Sequence, residues 1–241
     1  MGGKSLLAST LIPMFHHARV YVEPFVGAGH LLLRMPKGTY DMEIINDRDE
    51  TIYQLFSDVK EVNAHDVSAM DFTADRKRWL MIHGMDVSSL PPKERLESNL
   101  YHVYLSYAGM LTSFHDYGKT DHSSRNATLL KKLDLIQDRL ERVVVRNDDY
   151  REVIREMDGE DVFFYLDPPY YEVDVSGYKF SRVDPTELKG VLDGCMGKWL
   201  LSYNDHPFIR EVFADYRIEE VSTMYTIAGR RVKKELVIMN Y

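Results

Sequence analysis

One cysteine, Cys195, stands in 241 residues, which excludes an internal disulfide and any zinc site built on several thiols. Histidine offers no substitute. His16, His17, His83, His102, His115, His122 and His206 show no metal-ligand spacing with nearby acids, so no metal is expected. No apolar run approaches the length that crosses a bilayer. Met1-Gly2-Gly3-Lys4-Ser5 lacks the charged-then-apolar pattern of a secretory signal, so a cytoplasmic protein with an idle or buried thiol is expected. Positive charge is also short, 30 Lys and Arg against 38 Asp and Glu, for a net −8. That balance argues against a protein that coats nucleic acid nonspecifically and leaves room for a local basic face. Repeats and low-complexity tracts are missing as well.

What remains is a chain with 44% hydrophobic residues, enough for a sizeable core, in which helical and strand-like patterns alternate. Helices are expected at 3–17, 29–35 (entered through a glycine turn), 48–60, 149–157, 184–196 and 206–214. Strands are expected at 19–23, 40–46, 142–146, 162–166 and 199–203, and two more at 216–225 and 234–241 read as a closing hairpin. From 60 to 142 the strand signals vanish, leaving helices at 93–107 and 127–141 around a polar loop or hairpin near 109–126. This is a doubly wound, Rossmann-like α/β sheet with a C-terminal antiparallel hairpin, interrupted by a helical insert. The expected division is 1–60 with 142–241 as one domain and 61–141 as the insert.

Asp167-Pro168-Pro169-Tyr170 follows the apolar run Val162 to Leu166. An acid, two prolines and a ring at the end of a buried strand make a rigid turn that can hold a planar amine. Tyr21 to Gly29 reads as a strand leading into a glycine turn, where Gly27 and Gly29 let backbone approach a ligand. A dehydrogenase fingerprint would want glycine at position 32, which is Leu32. Gly2-Gly3-Lys4-Ser5 imitates the tail of a phosphate-binding loop, but no strand or leading glycine precedes it. Asp47, at the end of the second strand and twenty residues beyond Gly27, can accept ribose hydroxyls or cap the following helix. Asp149 and Tyr150, after the third strand, offer an acid and a ring for an adenine, or a plain helix cap.

In this order the segments resemble the Dam-like, D12 class of DNA adenine-N6 methyltransferases, which use S-adenosylmethionine. The resemblance rests on Gly2-Gly3-Lys4, Glu23 to Gly29, Asn46-Asp47, Asn147 to Tyr150, Asp167 to Tyr170 and the tail Glu235 to Tyr241. It implies that Phe25, Gly27 and Gly29 shape the methionine side of the cofactor pocket. Asp47 would hold the ribose, Asp149 and Tyr150 would frame the cofactor adenine, and Lys4 would lie near both cofactor and target. The helical insert falls where the family places target recognition. Its Tyr107 to Gly118 segment lacks the Phe-Asn-Val-Pro run of GATC-methylating members, so a GATC target is not implied.

The implied chemistry is physical in origin. The exocyclic amine of adenine is a poor nucleophile because its lone pair is delocalised into the ring. The Asp167 carboxylate and the Pro168 carbonyl can each accept one N–H, aiming the lone pair at the methyl donor. Pro168 and Pro169 fix that geometry in advance, and Tyr170 would stack on the base. A base inside a duplex must first be flipped out. Phosphate contacts are expected from Lys119 and Arg125 in the loop and from Arg230, Arg231 and Lys233 beside the last strand. Double-stranded DNA is the expected partner, with a cognate restriction endonuclease a further one. RNA adenine, cytosine N4 and a catalytically impaired nucleic-acid-binding relative stand as alternatives, although cytosine-N4 relatives tend to carry Ser at the position of Asp167.

Overall fold

The computed structural model describes residues 4–106, 113–115, 122–172, 183–225 and 231–241. Its elements run α1 (Lys4–Leu11), β1 (Val20–Glu23), β2 (Met42–Asn46), α2 (Glu50–Glu61), α3 (Ala64–Ser68), α4 (Arg76–His83), α5 (Pro92–Tyr104) and α6 (His122–Leu140). Then follow β3 (Val143–Arg146), α7 (Tyr150–Met157), β4 (Val162–Leu166), α8 (Pro185–Asp193), β5 (Lys198–Asn204), α9 (Pro207–Val212), β6 (Arg217–Tyr225) and β7 (Arg231–Met239). Two compact units result: 50–141, whose regular elements among the described residues are helices apart from one isolated bridge, and the sheet unit formed by 4–49 with 142–241. Helix α2 thus groups with the helical segment, which begins at 50 where the expected insert begins at 61.

Among the described residues the sheet has seven strands, in the order β3-β2-β1-β4-β5-β7-β6. The first five are parallel, and β7 runs antiparallel between β5 and β6. The chain leaves β1 outward to β2 and β3, then returns to β4 on the other side of β1. Such a reversal opens a crevice at the carboxyl ends of the strands, where open α/β sheets bind ligands. All five residues of β4 are buried, as a parallel strand covered on both faces requires.

Alternation along β4 separates two cores. Phe164 and Leu166 join Val22, Ile44, Trp199, Leu201 and Ile238, packed by Val153 and Ile154 of α7, Leu188 of α8, and Ile209 with Phe213 at α9. Phe163 and Tyr165 face the other way, into a ring cluster with Phe15, Tyr21 and Tyr40. Each fully buried ring, such as Phe163, contributes about 1.5–3 kcal/mol by leaving water, so this sheet is firmly anchored beneath its loops.

Two expected helices are shortened for local reasons. The one at 3–17 ends at Leu11, and the 3-10 turn Ile12–Met14 contains Pro13. The one at 29–35 is only a 3-10 turn, Leu32–Arg34, because Pro36 ends the run. In the helical unit, Asp58 is fully buried on α2 and takes both arms of the Arg95 guanidinium from α5, at 2.6 and 2.7 Å. Gln137 of α6 donates to the carbonyls of Val59, in the last turn of α2, and Val62, just past it. Ser106 and Phe114 form an antiparallel bridge, so the chain returns on itself at the base of the expected hairpin. Residues 122–126 belong to α6, not to that loop. The remainder of 107–121 lies outside the described residues.

Candidate functional site

The loops after β1, β2, β3 and β4 meet at the crevice of the sheet unit, tied by side chains of the strand ends. Asn46 closes β2 and is buried. Its amide donates to the carbonyls of Pro24 and Asp148, both at 3.0 Å, and its oxygen accepts the Asp148 N–H at 2.8 Å. Three loops are thereby held by one residue. Val26 N–H donates to the Asn46 carbonyl at 2.9 Å, and Gly29 N–H to the Val26 carbonyl at 2.8 Å, which folds the glycine turn back on itself. Gly27 and Gly29 take φ of 49° and 65°, the left-handed region that favours glycine.

No helix N-terminus lies at this turn, contrary to expectation. Gly27 N–H is instead accepted by Asp47 Oδ2 at 2.9 Å, while Asp47 Oδ1 accepts from Asp49 N–H at 2.9 Å. Burial pushes the Asp47 carboxyl upward, and those two N–H donors oppose the shift. Asp149 caps α7 through Arg151 N–H at 3.0 Å and also pairs with Arg48 and Arg151. The Arg151 hydrogen bond, with the charge of Arg48 behind it, holds the Asp149 carboxyl below its ordinary range. Tyr150 lies against Phe25, ring centroids 5.2 Å apart. Its hydroxyl is buried and has no hydrogen-bond partner among the described residues.

Across β1 stands the Asp167-Pro168-Pro169-Tyr170 turn, fixed by three successive residues of β5. Ser202 Oγ donates to Asp167 Oδ1 at 3.2 Å, Tyr203 hydroxyl donates to the Pro169 carbonyl at 3.3 Å, and Asn204 accepts from Tyr171 N–H at 3.0 Å. Lys4, at the start of α1, reaches the same turn: its Nζ lies 2.7 Å from the Tyr170 hydroxyl, 2.7 Å from Glu235 Oε2 and 3.1 Å from Asp167 Oδ1. Burial would strip the Lys4 proton, but Asp167 and Glu235 outweigh it and hold the ammonium above its ordinary range. Burial pushes the Asp167 carboxyl upward, against the pull of Lys4. The Tyr170 phenol is driven far up by burial and by Asp167 and Glu235, and its ring packs on Tyr203, centroids 6.0 Å apart.

Lys4, Phe25, Gly27, Gly29, Asp47, Asp149, Tyr150 and the turn from Asp167 to Tyr170 therefore all belong to the sheet unit, where Asp149 adopts the capping role. No local motif marks Ser202, Tyr203, Asn204 or Glu235 for a role at this site. Only their place at the end of β5 and in β7 reveals them, although Glu235 belongs to the family-like tail. Of the expected DNA contacts, Lys119 and Arg230 lie outside the described residues. Arg125, Arg231 and Lys233 are described only as backbone of α6 and β7. Among the described residues no group of three metal-binding side chains occurs, and no helix is long and apolar enough to cross a membrane.

Some solved structures match along most of this chain. A Streptococcus pneumoniae protein described as a candidate tRNA (m1A22) methyltransferase is 9% identical, with 99% of this chain and 69% of that one covered and a TM-score of 0.42. A SAM-dependent O-methyltransferase from Thermotoga maritima is 12% identical, with a TM-score of 0.44; the match covers 96% of this chain and 63% of that one. A precorrin 8w decarboxylase from Methanobacterium thermoautotrophicum is 10% identical over 99% of this chain and 94% of that one, with a TM-score of 0.41. No curated protein matches the chain. The sequence model of one family extends over residues 1–227, through every loop that meets at the crevice, and by it the chain belongs to the D12 class of N6 adenine-specific DNA methyltransferases, which take their methyl group from S-adenosylmethionine.

Proposed function

We propose that the chain methylates N6 of a specific adenine flipped out of double-stranded DNA, using the Asp167-to-Tyr170 turn as its catalytic element. The observation that carries this reading is how Asp167 is held. Among the described residues, its side-chain contacts, from Lys4 and Ser202, fall on Oδ1, and Tyr203 occupies the carbonyl of Pro169 and not that of Pro168. Asp167 Oδ2 and the Pro168 carbonyl are then the pair of acceptors for the two amine protons. Their positions are set before the substrate arrives, which is where such sites gain most of their rate. The amine sheds one proton as it gains the methyl, and the carboxylate already bonded to it is placed to receive that proton. Tyr170, its hydroxyl anchored by Lys4, offers its ring to the base.

The cofactor fits the residues across β1. Space is open over Gly27, with no atom within 4 Å of where a Cβ would stand. The unpartnered Tyr150 hydroxyl, beside Phe25, is a buried polar atom of the kind a ligand satisfies. Asp47 would hold the ribose, Phe25, Gly27 and Gly29 the methionine side, and Asp149 with Tyr150 the adenine. When bound, S-adenosylmethionine supplies a methyl group made electrophilic by its sulfonium.

The helical unit, with Lys119 and Arg125, would read the target, and Arg230, Arg231 and Lys233 would meet phosphates. The protein would work in the cytoplasm. In a restriction–modification pair the methylated site would be the one a cognate endonuclease cuts. Asp167, where cytosine-N4 relatives tend to carry Ser, favours adenine over cytosine. Long-read sequencing of duplex DNA treated with the protein tests the reading. The expected result is N6-methyladenine at one short sequence, and methylcytosine or methylation without sequence preference would overturn it.

A further inference from the structure

Lys4 Nζ carries three protons and has three partners: Glu235 Oε2, the Tyr170 hydroxyl and Asp167 Oδ1. The most enclosed of these is Glu235, whose side chain is 2% exposed, in the interior of β7. A buried ion pair contributes little to stability compared with apolar residues of the same size, so burial alone gives no reason for a carboxylate here. Its geometry gives one. Asp167 is faced by Lys4 from α1, Glu235 from β7 and the Ser202 hydroxyl from β5, with Tyr165 of β4 and Glu23 of β1 behind them. An ammonium with no other carboxylate would draw charge from Asp167 and weaken it as an acceptor. Glu235 sits closer to that ammonium than Asp167 does, 2.7 against 3.1 Å, and shares its charge. With both carboxylates ionised, the cluster keeps one negative charge beside the amine, where positive charge builds as the methyl arrives.

We propose that Glu235 is a positioning residue for methyl transfer: through Lys4 it holds Asp167 and Tyr170 in place and keeps the site negative at the reacting amine. The inference rests on the adenine-methyltransferase reading and adds a residue that reaches the catalytic turn only from the far end of the chain.

The test is single-turnover methylation of mixed-sequence duplex DNA by wild type, Glu235→Gln and Glu235→Asp, followed across acid and neutral pH, with cofactor affinity and thermal unfolding measured alongside. Glu235→Gln keeps shape and removes charge. It is expected to bind S-adenosylmethionine as wild type does and to lose rate on the order of tenfold. Its acid limb should move to lower pH, because the charge of Glu235 no longer adds to burial in raising the Asp167 carboxyl. Glu235→Asp keeps the charge while withdrawing the oxygen, so it should regain part of the rate without moving the limb. A Glu235→Gln protein with the rate and pH profile of an active wild type overturns the proposal. Should that variant not fold, Glu235→Asp with full wild-type rate overturns it equally. Failure of the parent reading shows differently, as a wild type that makes no N6-methyladenine.

Discussion

Gly27 donates its backbone N–H to Asp47 Oδ2 at 2.9 Å, so the turn after β1 and the acid after β2 are parts of one device. Removing the carboxylate loosens the turn and deletes the proposed ribose acceptor together. Asp47→Ala should lower affinity for S-adenosylmethionine on the order of 10- to 100-fold, the range for a hydrogen bond to a charged group. Titration calorimetry measures this, and wild-type affinity would remove Asp47 from the cofactor site.

Gly27→Ala separates conformation from contact. The left-handed φ of 49° costs a side chain about 1–2 kcal/mol, yet nothing stands within 4 Å of the added methyl. The melting temperature should fall by about 2–8 °C, and cofactor affinity should fall as well, because the methyl enters the open space. A variant with unchanged affinity would place the cofactor elsewhere.

How much of this was legible in the chain depends on distance along it. Asp167 to Tyr170, Glu23 to Gly29 and Asp47 are short contiguous motifs whose neighbours fix their local shape, and the parallel order of β1 to β5 follows from alternating patterns. Ser202, Tyr203 and Asn204 meet the Asp167 turn only because β5 lies beside β4, and Glu235 reaches Lys4 across 231 positions. No local pattern marks such pairs. Leu31 to Leu33 read as helical because their apolar spacing fits, but Pro36 cuts the run after one 3-10 turn.

Asp167 should show a trade between function and stability. Burial raises its carboxyl pKa in the folded state, so the folded protein holds that proton more tightly than the unfolded chain. The stabilisation is full below the ordinary carboxylate range and is lost as pH rises through the raised value. At neutral pH the ionised group therefore opposes folding, and Asp167→Asn should melt higher than wild type while losing transfer. The gain should shrink as pH falls into the acid range. Melting curves across pH check this, and an Asn variant that melts lower at neutral pH would contradict it.

In the helical unit, Asp58→Ala strands the Arg95 guanidinium against a buried wall on α2. A broken buried pair costs about 3–5 kcal/mol, so cooperative unfolding of the helices should begin at markedly lower denaturant. A midpoint like that of wild type would show that α2 and α5 are not locked by this pair.

The central claim is the reaction itself, read most directly by nucleoside mass spectrometry of mixed-sequence duplex DNA incubated with methyl-labelled S-adenosylmethionine. The account predicts label in N6-methyladenine with wild type and none with Asp167→Ala, although that variant folds and binds the cofactor. Label in another base, or none from a folded wild type that binds the cofactor, would contradict it.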